Sequence, residues 1–342
     1  MKRFMSLLLI ATMLIFASTA FGAESVIKLT FADYYTPGHA LDPAAKDFIK
    51  YIEEGSEGRI KIQRFPAQQL GKAGDMLELA SRGTADFTSC VVSYFGGQLP
   101  LQNIMSLPKW TTAVEGCEVQ RRIIKEIPEI QAEMAKYNLI GIMPFQACQH
   151  DVGLSKKEVK SLEDLKGLRI ATAGGFLDTT AAAYGIIPVS LTAGELYEAV
   201  QRGIVDGTTL SLPSVNNFRL NELYTFHTYG MRQGGAPAVW PMNLKKFNSL
   251  PKDLQKVILD AGERVSKEAA VRWDNFSLEL KEKWTKAGMK FLTITNKDRA
   301  KWDAPLAPLD QVWLDDMNKK GVAGAKKVLD AYTKICKEVT GE

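Results

Sequence analysis

Two rhythms of apolar and polar positions alternate along this chain. Residues 26–31 alternate between the two classes from Ile27 onward, the period expected of a half-buried strand. Tyr34, Tyr35, Pro37 and Gly38 form a loop, and a helix is predicted from about 39 to 54. Leu41, Ala44, Ala45, Phe48, Ile49 and Ile52 share its apolar face. Glycines 55 and 58 stop it. Residues 60–65 predict a second strand, ended by Pro66, and residues 73–82 a second helix, ended by Gly83. Residues 86–92 predict a third strand. This strand–helix alternation implies a sheet flanked by helices.

A second unit of the same kind starts near residue 139. Strands are predicted at 139–145, 168–172 and 205–210. Ser161 with Asp164, and Thr192 with Glu195, have the spacing of capping boxes. Gly174 and Gly175 lead into a helix. From about 251 to 287 an apolar stripe steps by threes and fours through Leu254, Val257, Ile258, Ala261, Val265, Ala269, Trp273, Phe276, Leu280 and Trp284. A helix of that length reaches roughly 50 Å, more than one small domain, and so is expected to lie across both units.

Composition narrows the function. The chain has 342 residues, 46% of them hydrophobic and 24% charged, enough for two domains with real cores. A formal charge of +4 without a clustered basic face gives no reason to expect a nucleic-acid partner. Residues 1–22 read as a secretory signal: Lys2 and Arg3, an apolar run from 7 to 16, then Ala20-Phe21-Gly22 as a small-x-small cleavage site. Cleavage near Gly22 predicts export to the periplasm. Cys90, Cys117, Cys148 and Cys336 are scattered and compatible with disulfides or with buried free thiols.

No phosphate loop, nucleophile elbow, metalloprotease helix or dinucleotide turn is present. His39, His150 and His227 lie far apart with no triad or metal-ligand spacing, so neither a catalytic residue nor a metal or other cofactor is expected. Gly174 and Gly175 before a helix admit two readings, an anion seat or a plain turn.

Five segments, in order, resemble a known family. Residues 60–71 (Ile-Lys-Ile-Gln-Arg-Phe-Pro-Ala-Gln-Gln-Leu-Gly) resemble the strand-Pro-x-x-Gln-Leu-Gly signature of TRAP-transporter substrate-binding proteins of the dicarboxylate-binding (DctP) type. Residues 83–87, 165–170, 195–207 and 250–257 are similar to that family's Gly-x-x-Asp-Phe turn, Leu-Lys-Gly-Leu-Lys-Ile stretch, Glu-x-Tyr-x-Ala-x-Gln-x-Gly-x-Val-Asp-Gly segment and start of its long helix. The resemblance implies a two-lobed periplasmic-binding-protein fold of type II-like α/β architecture, with the long helix spanning both lobes. The implied division is 23–147 with 237–277 for the first lobe and 148–236 with 278–342 for the second. It also implies a non-enzymatic carrier that hands a small organic acid to integral membrane TRAP permease subunits. An ABC-type or sensor-linked binding protein, or an exported two-lobed enzyme, are the alternatives.

The ligand-contacting places depart from the family pattern. The family arginine after the 165–170 stretch is Ala171 here, and its asparagine four residues after the Asp is Leu210. Places that are polar in sialic-acid-binding members read as Tyr34, Val91 and Gly174, and an aromatic place as Ala193. A second arginine place falls near Gln149 and His150, where no arginine stands. A bidentate arginine contact is worth about 1.5–3 kcal/mol. Without it the resemblance implies a bulky, aromatic or hydrophobic monocarboxylate rather than a C4-dicarboxylate. Tyr34, Tyr35 and Trp240 are candidate aromatic walls, or ordinary packing. The Gly174–Gly175 amides, Gln149, His150 and Arg169 are candidates to hold a carboxylate. Arg169 shares a strand face with Ala171, but also occupies the motif's solvent-facing lysine place.

Overall fold

A computed structural model describes residues 26–341. The expected signal segment lies outside the described residues. Twelve strands form two six-stranded sheets. The first sheet holds β1 (Ile27–Ala32), β2 (Ile60–Phe65), β3 (Phe87–Thr88), β4 (Cys90–Val91), β5 (Leu139–Gln146) and β11 (Pro237–Asn243). Its order is β2-β1-β3-β11-β4, with β5 also paired to β11. The predicted strand over 86–92 is split in two at Ser89. β1, β2 and β3 run parallel, and β11 is antiparallel to β3, β4 and β5.

The second sheet holds β6 (Asp151–Leu154), β7 (Arg169–Thr172), β8 (Ile187–Ser190), β9 (Gly207–Leu210), β10 (Phe226–Tyr229) and β12 (Lys290–Thr293). Its order is β12-β10-β6-β9-β7-β8. The chain crosses between the sheets at 147–150 and returns at 230–236. Gly207 on β9 stands opposite Leu154 on β6, and a Cβ on it would stand 1.8 Å from the Gly153 carbonyl oxygen.

The helices that position the site are α1 (Asp42–Gly55), α2 (Ala113–Glu126), α3 (Phe176–Ala183), α4 (Leu212–Asn217), α5 (Lys252–Lys286), α6 (Leu309–Lys319) and α7 (Ala325–Thr340). The long stripe is one uninterrupted helix, α5, of 35 residues. Its residues 254–273 join the first core beside Phe31, Phe48 and Trp240, whereas Leu280 and Trp284 join the core under the second sheet. Gly262 lets α5 lie directly on β5, since a Cβ there would stand 2.3 Å from the Ile142 carbonyl oxygen.

Trp302 packs with the second sheet, but α6 and α7 bury Leu309, Trp313, Val328, Tyr332 and Ile335 against Leu107, Trp110, Val119 and Ile123 around α2. Tyr332 donates a hydrogen bond to the Leu107 carbonyl at 3.0 Å. Residues 309–340 therefore pack on helices of the first lobe. The apolar face of α7 recurs every three to four residues through Val328, Leu329, Tyr332, Ile335 and Cys336, and α2 offers the matching groove.

Candidate ligand-binding site

A cavity of about 70 Å³ lies where the two lobes meet. The first lobe supplies Tyr34, Tyr35, His39, Val91, Tyr94 and, from β5 and α5, Phe145 and Trp273. The second supplies Ala171, Thr172, Thr209, Leu210, Ser214 and Phe218. His150, in the outgoing crossover, closes one wall. Aromatic rings dominate. Tyr34 and Tyr35 stand 4.1 Å apart between ring centroids, Tyr35 stacks on His39 at 4.1 Å, and Phe145 meets Trp273 edge-on at 5.0 Å.

The tyrosine pair follows directly after β1, and a buried polar network fixes it. Asp33 is fully buried. Its Oδ1 accepts from the Tyr35 amide at 3.0 Å and from the Ser89 hydroxyl at 2.7 Å; the Ser89 oxygen in turn accepts from the Tyr34 amide at 3.1 Å. Arg64, on β2, donates to Asp33 Oδ2 from two nitrogens at 2.9 and 2.6 Å and to Asp42 Oδ1 at 2.6 Å. Burial pushes the Asp33 carboxyl upward, and the Ser89 hydroxyl and the Arg64 charge oppose that.

Hydrogen bonds join the lobes on both sides of the cavity. Asn217, at the end of α4, accepts from the Ala40 amide at 2.9 Å, and its Nδ2 lies 3.0 Å from His39 Nε2. The Tyr94 hydroxyl accepts from the Ala193 amide at 3.1 Å. Gly175, with φ 62° and ψ −141°, sits in a region open only to glycine. A Cβ there would stand 2.9 Å from Asn103 Oδ1 of the first lobe. The lobes are thus closed on one another.

Among the described residues no Arg, Lys, Asp or Glu lines the cavity. Its titratable groups are neutral at neutral pH. Burial pulls His39 down to about 3 and His150 down to about 4. It pushes Tyr34 and Tyr35 far upward and Tyr94 up to about 12. The walls are apolar surface punctuated by hydroxyls and one imidazole with a free nitrogen. Such a site is suited to holding a ligand and offers no activated nucleophile.

The profile of bacterial extracellular solute-binding protein family 7 matches residues 31–316. The chain belongs to that family, the substrate-binding proteins of TRAP transporters. A solute-binding protein of Albidiferax ferrireducens is 26% identical over 309 residues, covering 83% of this chain and 85% of its own. A TRAP solute-binding protein from Rhodoferax ferrireducens, solved with copurified benzoate, superposes with a TM-score of 0.84 at 20% identity, over 92% of this chain and 99% of its own. A TRAP periplasmic solute-binding protein from Bordetella bronchiseptica with bound (R)- and (S)-mandelate gives 0.80 at 20% identity, over 92% and 99%. These likenesses carry the two-lobed fold. The family is extracellular, and among the described residues no helix is long and apolar enough to cross a membrane.

In this solute-binding protein Tyr34, Val91, His150, Ala171 and Leu210 meet at the cavity. Gly174 and Gly175 instead line an adjoining open cleft of about 610 Å³, which shares Tyr94, Ala173 and Leu191 with the cavity. Ala193 touches the rim through its amide. Three residues stand elsewhere. Trp240 is fully buried in the first core, 5.1 Å from Phe31 and 5.6 Å from Phe48 between centroids, whereas Ala238, two residues earlier on the same strand, lines the cavity. Arg169 is exposed, donates to the Gly203 carbonyl at 2.9 Å and lies 4.0 Å from Asp206. The Gln149 side chain accepts the Gly234 amide inside the crossover. All four cysteines are free, Cys90, Cys117 and Cys336 being buried.

His39, Tyr94 and Trp273 were not singled out from sequence as ligand-facing. His39 lies in a loop and Tyr94 in a short 3-10 turn (Val92–Phe95), neither within a motif, and Trp273 reads as one more apolar residue of the α5 stripe. The sequence signal for Trp273 was its size at the point where the stripe passes from one lobe to the other.

Proposed function

We propose that this protein captures a compact aromatic or apolar monocarboxylate in the periplasm and passes it, chemically unchanged, to the membrane subunits of a TRAP transporter. The observation that carries this reading is a closed inter-lobe cavity with aromatic walls and no cationic side chain. A dianion such as succinate buried there would leave a carboxylate uncompensated, at a cost of several kcal/mol. A single aromatic acid group costs less and gains the stacking surface of Tyr34, Tyr35 and Trp273.

Size argues for compactness rather than bulk. A void of about 150 Å³ holds one benzene, and this cavity is about 70 Å³. A one-ring acid therefore fits only with a small parting of the lobes, and a fused-ring acid does not fit. Benzoate and mandelate in the two structural neighbours are acids of the favoured kind.

The test is a thermal-shift screen of the mature protein, followed by calorimetry. Benzoate, phenylacetate and short branched acids should raise Tm, by about 2.7 kcal/mol of added stability at a hundredfold excess over Kd. Succinate, malate and sugar acids should not. Stabilisation by the dicarboxylates alone refutes the reading. Recovery of a chemically altered ligand after incubation refutes the carrier role.

A further inference from the structure

We infer that His150, as a neutral imidazole, is the donor that reads the ligand's carboxylate through its Nδ1–H. This rests on the organic-acid reading of the cavity and deepens it.

The argument begins in the crossover. The His150 amide donates to the Gly234 carbonyl at 2.7 Å, and the Gln233 amide donates to the His150 carbonyl at 3.3 Å. The two crossing segments thus fix the backbone of residue 150 from both sides. The Ala236 amide donates to Nε2 at 3.4 Å. A backbone N–H can only donate, so Nε2 is the acceptor and the ring proton sits on Nδ1. His150 is buried, lines the cavity, and its Nδ1 has no partner among the described residues. A buried N–H with nothing to donate to is rare in folded proteins and calls for an explanation.

Several other polar groups of the wall already have partners. Tyr94 accepts the Ala193 amide, Thr172 donates to Asp178, Thr209 donates to the Ala171 carbonyl, Ser214 pairs with Ser211, and His39 meets Asn217. The indole N–H of Trp273, on α5, likewise has no partner among the described residues. Tyr34 and Tyr35 give the ligand ring surface. A carboxylate seated between those walls meets His150 Nδ1–H, with the Trp273 indole N–H and the Tyr94 hydroxyl as neighbouring donors; of the three, His150 is the one held by both crossing segments.

The groups packed around His150 are held neutral by burial or turn away from it. The cavity faces it with His39, Tyr34, Tyr35 and Tyr94, all held neutral by burial. The neighbouring Asp151 carboxyl turns away to Thr228 and to the amides of Gly230 and Met231. Asp274, on α5, caps α2 through the Ala113 and Val114 amides, and Cys148 keeps its proton. The ring gains no nearby carboxylate to protonate it, so the site binds the anion without taking up a proton.

The test compares benzoate with benzyl alcohol, its uncharged analogue, on wild type, His150→Asn and His150→Phe. Asparagine keeps a donor at the Nδ1 position, and phenylalanine keeps only the ring. The benzoate-to-benzyl-alcohol affinity ratio should fall about 10- to 100-fold in His150→Phe and stay within about fivefold of wild type in His150→Asn. Wild-type benzoate affinity should be flat from pH 6 to 8, with no net proton uptake in calorimetry across buffers of different ionisation enthalpy. An unchanged ratio in His150→Phe, or uptake near one proton per benzoate, overturns the inference and leaves the aromatic-acid reading standing. Failure of wild type to bind benzoate at millimolar concentration overturns both. Because the ratio is measured within each variant, partial destabilisation of His150→Phe does not mimic the expected result.

Discussion

Replacing Arg64 by methionine isolates what holds the tyrosine wall in place. Asp42 keeps Lys46 as a second cation at 2.8 Å, but Arg64 is the cation that reaches the fully buried Asp33. Removing one member of a buried pair costs about 3–5 kcal/mol, because the remaining charge stays desolvated. At roughly 2–4 °C per kcal/mol for a unit of this size, Tm should fall by roughly 10 °C. Asp33 escapes the penalty by binding a proton or by swinging out, and swinging out releases the Tyr35 amide and the Ser89 hydroxyl together. The ligand should then bind about tenfold more weakly, in line with one or two lost hydrogen bonds' worth of order. The companion variant is Arg64→Met with Asp33→Asn. An amide needs no cation and still accepts from Tyr35 and Ser89, so the double variant should recover more than half of both losses. Differential scanning fluorimetry and calorimetry with benzoate read the two quantities. A single variant within 2 °C of wild type, or a double variant no better than the single, refutes the reasoning.

Three further outcomes follow from geometry. Gly175→Ala should lose a few degrees of Tm from backbone strain of about 1–3 kcal/mol and also bind ligand more weakly; adding Asn103→Gly should restore binding but not Tm. Asn217→Ala removes two inter-lobe contacts of about 0.5–1.5 kcal/mol each, so ligand release in stopped-flow should speed up roughly 5- to 150-fold with little change in association. Glu133 accepts the Leu101 and Gln102 amides, and burial pushes its carboxyl up to about 7 from 4.5. Its folded value lies above its unfolded one, so its stabilisation is complete below about pH 4.5 and is lost as pH rises through about 7. Urea melts across that window should therefore be flatter for Glu133→Gln than for wild type.

Elements with a strong local period were legible in the sequence, and contacts between distant segments were not. β1, β2 and the 35-residue α5 stand within a residue or two of their expected ends, because alternation and the three-to-four stripe are local properties. α2 was missed although Thr112 and Glu115 form a capping box, since its buried face mixes Gly116 and Gln120 with Ala113, Cys117 and Ile123. The inward placement of Tyr34, Ala171 and Leu210 came from motif register. Trp240 and Arg169 show the limit of that approach. Trp240 lies on β11 two residues beyond the cavity-lining Ala238, and its ring fills the first core between Phe31 and Phe48. Arg169 shares a face with Ala171 but stands at the open end of its strand, beside Asp206. The Asp33–Arg64–Asp42 cluster joins residues on three separate elements, and no spacing rule announces it.

The chain does not stop after its second passage between the halves. α5 spans them as a continuous rod, and the stretch between Trp302 and Leu309 carries the chain back so that α6 and α7 lie on α2. Four tethers now link two bodies that must separate to admit a guest. A rod and a strap added to a pair of hinge strands leave one easy motion, a shallow rocking about the crossover, and resist twisting and wide gaping. The mouth then opens little, which favours slim guests and short strokes, and residue 150 stands beside the pivot, where displacement is least.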